Sequence, residues 1–419
     1  MTQKSHSKLL IFLMAFVVYS VLCKYFQAIN RDNDGGVFLQ IMLQIETLIA
    51  IPIFLLCRKK YDYCINGQGN NWIALICIYL CFNILNTLAF SPTTKYIMID
   101  VVYWLVFVSF FYLGASKNFW RYFTKTILII FVISSVLSIL ELITGSFNYL
   151  RSEVGMNSDS YLYDIQIGFT PCCFALIYYI SSNTKRDKYI AILAFAFYFF
   201  LQFYFQKRLP IARIIFTIIL LMVIVKKSKY AVKIPSNTVL VTLLVLAAAL
   251  FYLPKELFRG TIDRFFMEGS ATQTIQRDAR YMILDKVVDH TISSPRTFMF
   301  GEGTGGCALG NYEGKQIIVN NVSVDGMTDF EVGWASYFFR YGFVFLLIFY
   351  LYIFKVLSHF KRYLHDPLAM ACWAQIAIVT LFSFLGESFP NVSVPIATIL
   401  LASSLGYLSS KNINFVGSR

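Results

Sequence analysis

The chain has 419 residues, 58% of them hydrophobic and only 14% charged, with a formal net charge of +13 and a mean hydropathy of +0.63. No soluble globule of this length has such a composition. It points to a polytopic, all-α membrane protein, in which the basic balance needs no nucleic-acid partner because it is distributed by topology.

Apolar stretches of about 17–25 residues, enough to cross a hydrocarbon layer of about 30 Å, recur from end to end. They fall at 9–29, 37–56, 72–90, 97–115, 126–145, 167–182, 189–206, 210–225, 237–253, 335–355, 368–386 and 392–410, about twelve spans in all. The first follows Lys4 and Lys8 but continues to Ile29 without a small-residue cleavage pattern. Leu22 also occupies the position where a lipoprotein box needs a small residue. An uncleaved first helix is expected.

Charge orients these spans. The N-terminus, "CRKKYDYC", "SKNFWRYFTK", "NTKRDK", "KKSKYAVK", "KVLSHFKRYLHD" and the tail from Lys411 together hold 20 Lys and Arg against three acids, Asp62, Asp187 and Asp366. The intervening short loops "RDNDGG", "SPTTKY" and "GESFPN" are almost free of Lys and Arg. The positive-inside rule puts both termini in the cytoplasm.

One outer connection departs from that rule. "FYFQKRLPIAR" places Lys207, Arg208 and Arg213 between two apolar runs, with Pro210 where a first helical turn begins. A buried guanidinium near lipid is costly without a partner. Either the cations snorkel to lipid phosphates while Arg213 pairs with a neighbouring helix, or the cluster binds an anionic group at a helix N-terminus.

Two outer connections are long, 146–166 and 254–334. In the second, "TIQRDARYMILDKVVDHTISSP" has the period of an amphipathic helix over about 275–292, closed by Pro295. "GEGTGG" satisfies G-x-G-x-x-G at Gly301, Gly303 and Gly306. No strand precedes it, so it is expected to be a close-packed turn rather than a dinucleotide site. The nine cysteines read as small hydrophobes, and no metal site or cofactor is expected.

Lys24, Asn83, Asn86, Asp100, Glu141, Gln202, Arg213 and Arg340 all fall in outer halves of spans, with Glu387 at an outer end and Glu46 and Gln375 near mid-depth. Polar residues that stop at mid-depth suit a cavity open to the outer side, whereas a transporter needs a path through both halves. Wetter helix ends account equally well for Lys24, Asp100 and Glu387.

Three stretches carry a family resemblance: "KRLPIAR", "RDARYMILDKVVDHTISSPRTFMFGEGTGG" and "MTDFEVGWASYFFRYGFVFLLI". With the plan of spans, they resemble the bacterial polysaccharide repeat-unit polymerases (Wzy-type), kin of the O-antigen ligases. The resemblance implies a GT-C-like fold, one polytopic domain over 1–419, and a partly helical outer loop at 254–334. It implies an inverting glycosyltransferase of the cytoplasmic (inner) membrane, with undecaprenyl-pyrophosphate-linked glycans and membrane lipid as partners. A chain-length regulator protein is an implied partner too. For the sites it implies Asp329 as the acceptor-side carboxylate, Glu331 as second choice, and Arg280 as a catalytic cation. Lys207, Arg208, Arg213, Arg277 and Arg340 would hold pyrophosphate. Structural roles compete: Asp329 as a helix N-cap, Glu331 as a first-turn dipole partner, Arg280 as a loop ion pair. The ligase branch places a histidine at the end of the large loop where this chain has Asp329, and the outer-loop histidine here is His290. Ligase and lipid-linked glycan transporter (flippase) remain the alternatives.

Overall fold

A computed structural model describes residues 67–90, 97–144, 169–180, 185–204, 208–227, 287–303, 316–319, 322–325, 333–384 and 395–411, together with Met14. The helices are α1 Gly67–Phe90, α2 Ile97–Gly114, α3 Lys117–Thr144, α4 Phe169–Ile180, α5 Lys185–Tyr204, α6 Arg208–Lys227, α7 Pro295–Phe300, α8 Gly333–Ser358, α9 Phe360–Tyr363, α10 Pro367–Phe384 and α11 Pro395–Lys411. Residues 287–292 are also helical and match the end of the expected loop helix. Nine expected spans coincide with α1–α6, α8, α10 and α11. The spans at 237–253 and 37–56, and 9–29 apart from Met14, lie outside the described residues.

Three helices, at Gly69–Phe90, Gly333–Ser358 and Pro367–Phe384, are long and apolar enough to cross a membrane. Their exposed faces are apolar at helical spacing. Leu75, Ile78, Phe82 and Leu85 line the outside of α1, and Phe343, Leu347, Leu351 and Phe354 that of α8. Asn83, Asn86, Thr217, Gln375, Thr380 and Ser383 point inward. Polar side chains inside and large apolar ones outside are what a bundle surrounded by lipid requires.

Helix α3 begins nine residues before the expected 126. Lys117, Arg121 and Lys125 recur every fourth residue on an exposed face, while Phe119, Trp120 and Phe123 are buried on the other. Hydropathy alone discounts these turns, although their amphipathic period is helical.

The core is an aromatic seam. Tyr337, Tyr341, Phe345 and Phe349 follow each other at every fourth position of α8 and meet Tyr103, Trp104 and Phe107 of α2. The Trp104 ring lies 5.5 Å from Phe345 and 6.3 Å from Phe349, in near-perpendicular edge contacts that suit aromatic quadrupoles. Helices α2 and α11 cross backbone to backbone: a Cβ on Gly114 would meet the Ser403 backbone, and one on Gly406 the Phe111 carbonyl. Small residues at such a crossing let helices approach closely.

The large loop holds two elements that the sequence reading left out. β1 Gln316–Val319 and β2 Val322–Asp325 pair antiparallel, with Gln316 opposite Asp325 and Val319 opposite Val322. Two β-branched runs around Asn320 and Asn321 are the cause. The second element, α7, starts at Pro295 with Ser294 as N-cap, its Oγ accepting the Thr297 N–H at 3.1 Å. Pro295 therefore opens a new helix as well as following the old one.

Candidate functional site

Helix α8 is broken at Gly342, whose φ of 77° and ψ of 179° leave the helical region. The break falls at Tyr341-Gly342, inside one of the stretches that carry the family resemblance. It withdraws the intrahelical donors from the carbonyls of Phe339, Arg340 and Tyr341, and buried carbonyls need substitutes.

The substitutes come from two other parts of the chain. Loop residues Glu302 and Gly303 donate backbone N–H groups to the carbonyls of Phe339 (2.7 Å) and Arg340 (3.1 Å). From α1, Asn83 Nδ2 donates to the Arg340 carbonyl at 2.8 Å, and Tyr79 OH donates to that of Tyr341 at 2.6 Å. Asn86 Nδ2 donates to the Gly301 carbonyl at 3.2 Å. Tyr79, Asn83 and Asn86 are spaced i, i+4, i+7 and so share one face of α1.

The joint depends on two glycines meeting. Gly301 has φ 75° and Gly342 φ 77°. A Cβ on Gly301 would lie 2.6 Å from the Arg340 backbone, and one on Gly342 would lie 2.5 Å from the backbone of Met299, Phe300 and Gly301. Both the conformation and the space admit only glycine. The expected close-packed turn at Gly301 and Gly303 is present, with positive φ at both; Gly306 lies outside the described residues.

Residues 295–303 also descend alongside α1. The Arg296 guanidinium sits 4.7 Å from the ring of Phe90, the last residue of α1. Phe300 packs on Phe82 with ring centres 5.0 Å apart, and Tyr79 OH reaches the Met299 carbonyl at 3.2 Å. From Phe90 back to Tyr79 is about 16 Å along a helix axis. This part of the loop is thus inserted beside the span rather than laid over its end. Its composition permits that, since Phe298, Met299 and Phe300 are apolar and the glycine backbone after them is sealed in protein.

Charged groups surround the joint. Glu302 faces His290 Nε2 at 3.3 Å through one carboxylate oxygen and Arg296 Nη2 at 3.3 Å through the other. Arg296 Nη1 also donates to Asn86 Oδ1 at 3.2 Å. On the opposite side, Tyr341 OH donates to Asp100 Oδ1 at 2.6 Å, and Trp104 Nε1 donates to Tyr341 OH at 3.1 Å. Arg340 is within electrostatic reach of Tyr103 and Tyr341. Two guanidinium groups, two carboxylates and one imidazole therefore collect at one end of the bundle. Guanidinium forks suit phosphate oxygens, and carboxylates can orient or deprotonate a hydroxyl.

Of the residues singled out in the sequence, Arg340, Asn83, Asn86 and Asp100 belong to this joint. Arg213 lies near the same end of another helix: buried in α6, with its guanidinium carbon 5.2 Å from the centre of the Phe382 ring. Its surroundings are Cys173, Tyr198 and Phe382, and no contact joins it to Arg340 among those described. Arg208 is the first residue of α6. Lys207, Arg277, Arg280, Asp329 and Glu331 lie outside the described residues, as do Lys24, Glu46 and Glu387. Sequence reasoning missed Arg296 and Glu302 as partners, and missed Tyr79 and Tyr341 altogether. The signal for Arg296 was its place after the Ser-Pro cap; the tyrosines gave none, because they look like any other apolar aromatic in a span.

No family model matches the chain, and no curated protein or solved structure matches it.

Proposed function

We propose that the chain is a polysaccharide repeat-unit polymerase. It acts at the outer face of a bacterial cytoplasmic membrane and has both termini inside. The observation that carries this reading is the cluster of ionisable groups built around the broken-helix joint at one end of the described bundle. Arg340, Asp100, Glu302, Arg296 and His290 gather there, and Arg213 is buried in α6 beside Phe382. The buried polar residues of the opposite half are small hydroxyls such as Ser109, Thr124, Thr126, Ser403 and Ser409, several bonded to their own helix backbone. That half is wetter than the sequence suggested, and among the described residues its ionisable groups, such as Lys117, Arg121, Lys125 and the Asp366–Lys411 pair, lie at its exposed or half-exposed margin rather than along an interior path. This favours a lipid-linked substrate approached from one side over transport.

In the reaction, an acceptor hydroxyl of one lipid-linked repeat unit attacks the anomeric carbon of the growing glycan. The bond to undecaprenyl pyrophosphate breaks, with inversion. Arg208, Arg213 and Arg340, with Lys207, Arg277 and Arg280, neutralise the leaving pyrophosphate, and Asp329 takes the hydroxyl proton. Preorganised donors at a leaving oxyanion are each worth about 10²–10³ in rate. The test is the surface-glycan ladder of a deletion strain. Single-repeat products without long chains are expected; an unchanged ladder, or loss of the single-repeat product as well, overturns the reading.

A further inference from the structure

Asn83 is buried in α1, 1% exposed, and its amide donates at 2.8 Å to the carbonyl of Arg340. A buried amide that reaches across to a carbonyl 257 residues away in sequence does more than pair two helices. Arg340 is the second-last residue before the break in α8, so its carbonyl has no donor in its own helix. It has two from elsewhere, Asn83 Nδ2 and Gly303 N–H. These fix the peptide plane from which the Arg340 side chain departs. Asn86 holds the opposing loop strand by the Gly301 carbonyl, and Arg296 and Glu302 tie that strand to Asn86 and His290.

We infer that Asn83 is a positioning residue acting through Arg340: the inserted segment 294–303 and the Asn83 amide form a clamp that aims the Arg340 guanidinium at the phosphate groups of the substrate. This rests on the polymerase reading and deepens it by giving the aim of Arg340 to two elements outside α8. An ordinary helix would let residue 340 follow the axis of α8. A broken one fixes it from α1 and the loop, so the guanidinium stays put while the substrate changes. A displacement of about 1 Å in a positioned group can cost about 10²-fold in rate.

The test uses the purified full chain with a lipid-linked repeat unit, and compares Asn83→Ala, Asn83→Asp, Arg340→Ala and the double variant Asn83→Ala/Arg340→Ala. Asn83→Ala lowers kcat about 10–100-fold with KM within about twofold. Asn83→Asp, which turns an acceptor towards the carbonyl, is the worse of the two. The double variant is no slower than Arg340→Ala, because a residue acting only through another adds nothing once that other is gone. Thermal unfolding in detergent checks folding. A rate loss that merely tracks loss of folded protein overturns the proposal. So does a double variant whose losses multiply, or normal turnover in Asn83→Ala. Each of these leaves the polymerase reading standing if the wild type elongates glycan. A wild type that elongates nothing fails that reading, and the inference falls with it.

Discussion

The two ends of the bundle solve the same problem in opposite ways. At one end α8 is opened at Gly342, and its carbonyls are taken by Tyr79, Asn83 and an inserted loop. At the other, the helices stay regular and touch directly. Gly406 seats on Phe111, Trp120 Nε1 closes the end of α2 by donating to the Gly114 carbonyl at 2.7 Å, and the Tyr352 and Ser409 hydroxyls share a bond. Opening a helix in an apolar setting is tolerated only where protein re-satisfies the backbone. The polar end therefore concentrates asparagines, tyrosines and charges that packing alone does not require. The regular end closes its interior with small residues and local hydroxyls and keeps its one described ion pair, Asp366 with Lys411, at a half-exposed margin. Function is expected where regularity was given up, stability where it was kept.

The comparison breaks most visibly if charge at the polar end does not matter to activity. On the polymerase reading, Arg213→Ala removes a buried phosphate-facing cation and lowers repeat-unit transfer about 10²-fold or more, while the protein still inserts and folds. Arg213→Lys restores only part of it, since lysine supplies a point charge without the planar fork. The measurement is elongation by purified protein. Wild-type chain lengths in Arg213→Ala would refute the assignment.

Stability sharpens the contrast next. Gly342→Ala forces a Cβ to within 2.5 Å of the loop backbone at a positive φ. A non-glycine residue in this positive-φ, extended-ψ region costs about 1–3 kcal/mol and overpacking about 1–3, so a loss of about 2–6 kcal/mol is expected. Gly406→Ala lacks the positive φ but drives a Cβ to 1.8 Å from the Phe111 carbonyl oxygen, a tighter clash than at Gly342, so a loss at or above the upper end of the usual overpacking range of about 1–3 kcal/mol is expected. Tyr352→Phe removes one buried hydroxyl from its bond with Ser409 and costs about 0.5–1.5 kcal/mol with turnover unchanged. Thermal scans in detergent rank the three. A loss at either glycine no larger than that of Tyr352→Phe would mean that the close approach there is not a constraint.

Much of this architecture is written in period and composition. The nine helices that coincide with expected spans were legible because long apolar runs leave little choice of structure. Asn83, Asn86, Asp100 and Arg340 stood out because polar residues in such runs are costly, and Gly301 and Gly303 because their glycine pattern points to a close-packed turn. What joins them was not legible. Asn83 and Arg340 meet through a backbone carbonyl, which the identity of residue 340 does not encode. The insertion of 295–303 depends on α1 offering Tyr79, Asn83 and Asn86 at its own level, a long-range match that no local pattern reveals. The hairpin at 316–325 was the opposite case: its signal was local and plain, but was overlooked inside a polar stretch.

The smallest expected effect belongs to the regular end, where the cytoplasmic connection is expected to lie. Asp366 Oδ1 accepts the N–H groups of Leu368 (3.0 Å) and Ala369 (3.3 Å) at the start of α10. Its Oδ2 accepts from Tyr407 OH at 2.7 Å and pairs with Lys411 at 2.7 Å. Burial pushes this carboxyl up, but the Lys411 and Tyr407 hydrogen bonds, the Lys411 charge and the Ala369 N–H outweigh it, and the group stays below the ordinary value. A carboxylate depressed by folding contributes its stabilisation in full above its unfolded pKa of about 3.9. It loses that contribution as pH falls through the lower folded value. Asp366→Asn keeps the cap, because asparagine caps as well as aspartate, but gives up the charge. The gap in Tm between wild type and Asp366→Asn should therefore be small and constant from pH 7 to about 5 and close only below about 4. A gap that narrows already between pH 7 and 5 would mean that Lys411 does not hold this carboxylate, and that α10 and α11 are tied at this end by Tyr407 and packing alone.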